Sequence, residues 1–192
     1  VRTEMAGETL PGLLRQSFER WGDRQVAIRD KDFGIWQEYT WKSCYEKVKN
    51  FCLGLVSLGL RPEEKVAIIG DNEPQWFWAA FAVQAARGTV VAQFTDAIPN
   101  ELKYTIDFAD CKFVVARDQE QVDKILDIKE SLPKVEKVIY WYYKGMRNYT
   151  EPFLLRFDQV EQMGKEYGQE HPGIFEQKIE EISPDDIANI YF

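Results

Sequence analysis

A chain of 192 residues, 45% hydrophobic and 29% charged, has the makeup of an ordinary globular protein with enough apolar material for one α/β core. A formal net charge of -8 argues against nucleic acid or anionic lipid as the main partner, since both need clustered Lys and Arg. No apolar run reaches the length of a transmembrane segment, and the first residues lack the charged-then-apolar pattern of a signal peptide.

In chain order, Leu10, Leu13, Leu14, Phe18 and Trp21 form a helical stripe that Gly22-Asp23 ends. Gln25 to Arg29 and Ile35 to Thr40 read as two strands, with Asp30 to Gly34 as the hairpin between them. Thr40 or Ser43 caps a second helix, on which Val48, Phe51, Cys52 and Leu55 share one face, and Gly59 closes it. Lys65 to Phe94 is the centre of the chain. Val66-Ala67-Ile68-Ile69 is a short β-branched run expected of a strand buried on both faces. Asp71-Asn72-Glu73-Pro74 offers a polar cap and a first-turn proline. The helix that follows is apolar all round, through Trp76, Phe77, Trp78, Phe81 and Val83, and so is expected to be buried on more than one side. Gly88 stands where a left-handed residue commonly ends a helix.

A proline-led helix follows at Pro99, with Leu102, Ile106 and Ala109 on its inner face. Lys112 to Ala116 is a strand, Asp118 to Leu132 a helix, and Val135 to Tyr142 a further strand. This alternation predicts parallel β-α-β layers with helices on both sides of the sheet. Regularity is lost after Tyr142: residues 144–152 read as a loop, 153–163 as a strand end and short helix, and 164–183 as a polar stretch anchored by Ile174, Phe175 and Ile179. A final strand begins at Ile187. The organisation expected is a lead-in over 1–64, a β-α-β core over 65–142 and an irregular segment over 143–192, in a domain that continues past Phe192.

Candidate chemistry is sparse. The Gly70 turn, Gly-Asp-Asn-Glu-Pro, has one glycine, two carboxylates and a proline lacking an amide, whereas a dinucleotide cradle needs G-x-G-x-x-G; capping is the better reading. The pairs Glu63-Glu64, Asp71-Glu73, Glu180-Glu181 and Asp185-Asp186 lie at element ends or in turns and read as solvated. Tyr140-Trp141-Tyr142-Tyr143 has no basic company and reads as strand packing. Cys44, Cys52 and Cys111 lack metal spacing and read as buried reduced thiols of a cytosolic protein; His171, the one histidine, reads as surface. No catalytic, cofactor-binding or metal-ligating residue is assigned.

Several segments nonetheless stand in a familiar order. They are Tyr39-Thr40-Trp41, Gly59-Leu60, Lys65-Val66-Ala67-Ile68, Asn72 to Trp76, Ala85 to Val91, Pro99 to Ala116, and Ser183-Pro184-Asp185-Asp186-Ile187-Ala188 with Tyr191. Together they resemble the N-terminal part of the AMP-forming acyl-CoA synthetases of the adenylate-forming superfamily. Asp118 to Lys124 with Leu132-Pro133 is most similar to the long-chain fatty acid branch. The chain departs from the family pattern at Arg87, at Gln93-Phe94 and at Ile98. The resemblance implies a full-length ligase that joins a carboxylate to AMP with loss of pyrophosphate and passes the acyl group to CoA. ATP, Mg and CoA would serve it, with a Ser/Thr/Gly-rich phosphate loop just beyond Phe192; the 192 residues alone would be inactive. It also implies a fatty acid or other carboxylate substrate, a cytoplasmic location and no nucleic-acid partner, and leaves peripheral membrane attachment and homo-oligomerisation open. An aryl- or amino-acid-activating relative and a non-catalytic flavodoxin-like module are the alternatives.

Overall fold

The computed structural model describes residues 9–192. Helix α1 (Leu10–Trp21) begins at Thr9, whose hydroxyl accepts from the Gly12 amide, with Pro11 in its first turn. Strands β1 (Val26–Asp32) and β2 (Ile35–Thr40) form a separate antiparallel hairpin. Its turn is only Phe33-Gly34, both at positive φ (46° and 81°), the backbone that a two-residue primed turn requires. Thr40 then caps α2 (Trp41–Ser57) through the Ser43 amide.

The six remaining strands form one parallel sheet: β3 (Lys65–Ile69), β4 (Thr89–Gln93), β5 (Cys111–Ala116), β6 (Lys137–Tyr140), β7 (Leu154–Arg156) and β8 (Asn189–Ile190), in the order β7-β6-β5-β3-β4-β8. Helices α3 (Pro74–Ala85), α4 (Pro99–Phe108) and α5 (Gln119–Ile128) connect the central strands. The sheet separates two apolar cores. On one face α1, α2 and α3 pack together with α6 (Phe157–Glu170) and α7 (Ile174–Glu181); on the other, α4 and α5 cover Ala67, Ile69, Val91, Val114 and Val138. Val66 through Ile69 are fully buried because β3 is central and covered on both faces. The fold class is thus as the alternation predicts. Helix α3 is sandwiched between sheet, α1 and α2: Trp78 is 3% exposed and only Phe77 reaches solvent substantially. No described helix is long and apolar enough to cross a membrane.

Three expectations are corrected. The stretch 143–192 is more regular than expected: the strand end and short helix over 153–163 are β7 and the start of α6, and the final strand is β8, but α6 runs on to Glu170 and the polar stretch after it holds a packed helix, α7. Helix α6 lies against α2 so closely that a Cβ at Gly164 would overlap the Asn50 carbonyl, 2.8 Å from its carbon. Glycines at 54 and 164 make that approach, and an apolar-periodicity reading passes over glycines. The strand expected over 135–142 is limited to Lys137–Tyr140, since Val135 belongs to a turn closed by its amide on Leu132. The left-handed residue ending α3 is Arg87 (φ 59°), not Gly88. Gly88 is needed for space instead: a Cβ there would come 3.1 Å from the Glu64 carbonyl oxygen.

Candidate functional site

The order β6-β5-β3-β4 has a reversal at its centre. From β3 the chain leaves through α3 on one face, and from β5 through α5 on the other. In open α/β sheets the crevice outside the carboxyl ends of such a strand pair is the usual ligand position. Here that crevice is filled by its own side chains.

Gly70 follows β3, Arg117 follows β5 and Trp141 follows β6. The Arg117 amide bonds the Ile69 carbonyl at 2.9 Å, which fixes the guanidinium over the β3 turn. Arg117 donates to Glu73 Oε1 through Nε (2.9 Å) and Nη2 (2.6 Å), and to Asp118 Oδ2 through Nη1 (2.6 Å). Asp71 Oδ2 lies 3.3 Å from Arg117 Nε. The other Glu73 oxygen accepts the Trp141 indole N–H at 2.7 Å. A side chain at Gly70 would collide with the Trp141 ring and come 2.9 Å from the Arg117 Cβ. The bond to Glu73 raises the Arg117 pKa further above its already basic value. One guanidinium facing three carboxylates leaves the crevice net negative. A phosphate would therefore be repelled, and the group of residues acts as a latch tying the ends of β3, β5 and β6.

This sharpens the reading of the Gly70 turn. It is not a phosphate cradle. Glu73 is the residue before α3, with Pro74 in the first turn, yet its side chain makes no capping bond, because Arg117 and Trp141 take both its oxygens.

The second feature lies at the other sheet edge. Arg87 forms a two-pronged ion pair with Asp186, Nε to Oδ2 at 2.8 Å and Nη2 to Oδ1 at 3.1 Å. Asp186 Oδ2 also accepts the Ser183 amide, closing the Ser183–Asp186 turn. Arg87 holds the Asp186 carboxyl below the ordinary carboxylate range. Thr89 Oγ1 donates to the Ile187 carbonyl (2.9 Å) and the Val90 amide to that of Ala188 (3.0 Å), so β8 is docked parallel to β4. Tyr191 and Phe192 thereby emerge at the carboxyl edge of the sheet, where Phe192 meets Tyr104 and Phe108 edge-on.

The remaining candidates are brought into no common site. Glu64 accepts Lys112 Nζ at 3.0 Å and Glu180 accepts Arg15 at 3.1 Å. Tyr140 and Trp141 are buried in packing, and His171 stacks on Tyr167 at the end of α6. All three cysteines are free and buried; burial pushes Cys52 and Cys111 up to about 12. Among the described residues no cluster of side chains could hold a metal ion. The two ion-pair groups were not found from the sequence, although a usable signal existed: Arg117 ends one strand run, and Asp71 and Glu73 follow another.

Fold and site together define an open, doubly wound parallel α/β unit whose central crevice is sealed and whose last strand carries the chain to the carboxyl edge. The AMP-binding enzyme family matches residues 14–192, and the chain belongs to that family. Among curated proteins it is 27% identical over 158 residues to "Long-chain-fatty-acid--CoA ligase ACSBG2" of Xenopus laevis, covering 82% of this chain and 21% of that protein. It is 29% identical over 134 residues to "Long-chain-fatty-acid--CoA ligase ACSBG1" of Homo sapiens, covering 69% of this chain and 18% of that protein. The chain thus spans about a fifth of the length of these relatives. The solved structure of the anthranilate CoA ligase AuaEII in complex with anthranoyl-AMP shares the fold, with a TM-score of 0.70 at 17% identity over 82% of this chain and 29% of that one.

Proposed function

We propose that the protein containing this segment is a long-chain fatty acid CoA ligase. It activates a fatty acid with ATP to the acyl-adenylate, releasing pyrophosphate, and then transfers the acyl group to the CoA thiol. The observation that carries the reading is the match of most of the chain to long-chain-fatty-acid ligases from several vertebrates. Magnesium would neutralise the ATP phosphates. The described residues offer it no ligand cluster, and the latch is already charge-paired to Arg117, so no step is assigned to the metal here. The role supported for this segment is that of a rigid wall. The Arg117 latch fixes the strand ends, and the Arg87–Asp186 pair fixes the direction in which β8 leaves the sheet.

Pyrophosphate release by the full natural polypeptide, with ATP, CoA and a panel of acids, tests this reading. Turnover with long-chain fatty acids and little with aryl or amino acids is expected. Turnover only with aryl or amino acids would overturn the substrate class, and no turnover with any acid would overturn the ligase reading.

A further inference from the structure

Arg87 follows α3 in the left-handed region, at φ 59°. Glycine takes that backbone freely, whereas an arginine takes it against its own Cβ, so ending the helix does not call for an arginine. A residue held in a disfavoured conformation points to a role for its side chain. Here the guanidinium is a fork on Asp186, at 2.8 and 3.1 Å.

The fork holds the entry to β8. Asp186 Oδ2 accepts the Ser183 amide at 3.2 Å, and the Asp186 amide donates to the Ser183 carbonyl at 3.0 Å. Strand β8 itself pairs with β4 at only two positions, Val90 with Asn189 and Val91 with Ile190, whereas β3 pairs with all five residues of β4. So short a ladder leaves its register to the clamped turn before it. A slip of one residue would move the chain leaving β8 by about 3.3 Å and exchange its faces.

That chain leaves at the carboxyl edge, where parallel α/β sheets hold their ligands. The Arg117 latch closes the centre of this edge to phosphate, while the β4–β8 end lies outside the latch.

We propose that Arg87 is a positioning residue for ATP in the adenylation step: through Asp186 it fixes the register of β8, and with it the place at which the chain leaves the sheet to meet the nucleotide. This rests on the ligase reading.

The test uses the full natural polypeptide and two readouts, one of which needs no substrate. Arg87→Gly removes the fork but suits the backbone, so the melting temperature is expected to stay about that of wild type. Hydrogen exchange of the Val90 amide, which donates to Ala188, should become at least about tenfold faster. Pyrophosphate exchange, with the acid turned over best, should show the KM for ATP raised at least about tenfold, since a misplacement near 1 Å can cost about a hundredfold. The KM for CoA should stay within about twofold. Asp186→Asn should reproduce both changes, and Arg87→Gly should add nothing in that background, because the two act as one pair.

Either readout left within about twofold of wild type would overturn the proposal. An unchanged KM makes Arg87 a structural tie only, and unchanged Val90 exchange means that it does not act through β8. Effects that add to those of Asp186→Asn would overturn it as well. No pyrophosphate exchange by the wild type with any acid would remove the ligase reading, and this proposal with it, before any substitution is made.

Discussion

Replacing Gly164 by alanine places a methyl group where α6 crosses α2, 2.8 Å from the Asn50 carbonyl carbon and closer still to its oxygen and to the Gly54 amide. All three are helix backbone, so no side chain can rotate away. Ordinary carbon contacts lie at about 3.5–4.0 Å and the carbonyl oxygen is nearer than the carbon, so the helices must part by more than roughly 1 Å. Such a gap forfeits about a quarter to a half of each dispersion well along the seam. That seam includes the stacked Phe51 and Phe157 rings, 3.9 Å between centroids, and fully buried Val160, which packs against Gly54. Overpacking of this kind costs about 3 kcal/mol, at the upper end of its range. Against it, alanine in a helix interior gains about 1 kcal/mol over glycine. The net is about 2 kcal/mol of destabilisation. Native-state hydrogen exchange of the α2 and α6 amides reads this locally, as roughly 30-fold faster exchange. Gly168→Ala on the same helix is the control. Its Cβ meets only the Leu53 Cδ1 end at 2.9 Å, which can turn, so neutrality to about 1 kcal/mol of stabilisation is expected. Unchanged or slower exchange in Gly164→Ala would refute the close crossing.

Two further outcomes are expected. Trp78→Ala removes a side chain 3% exposed and in edge contact with Tyr39, and should cost about 3–5 kcal/mol in denaturant unfolding; a change within about 0.5 kcal/mol would mean that α3 is not sandwiched. The Arg87–Asp186 pair has a pH signature. Asp186 is held below its ordinary 3.8, so the pair's contribution is full above that pH and is lost as acid protonates the folded carboxylate. The melting-temperature gap between wild type and Arg87→Met should therefore be steady from neutral pH down to about 4 and shrink below it, whereas a gap that widens in acid would contradict the pair.

Much of the fold was legible in the residues. Helices α1 to α5 and strands β1 to β6 are written in apolar spacing, caps and first-turn prolines, which act over a few residues. Of the two closing helices only the start of α6 was legible; its extension and α7 were not, because the α6 face that meets α2 runs through Gly164, which adds no hydrophobic signal but permits the close crossing. The latch was hidden for another reason. Glu73 sits where a cap is expected, and only the neighbouring of β3 and β5 in space brings Arg117, 44 residues on, to draw its carboxylate away.

The sequence by itself determined the α/β class, the buried central strand and the unsuitability of the Gly70 turn for phosphate, since composition and local charge decide those. Strand order, the sealed crevice and the Arg87–Asp186 docking of β8 depended on the tertiary structure. Each requires residues distant along the chain to meet, and no local pattern encodes which of them will be neighbours.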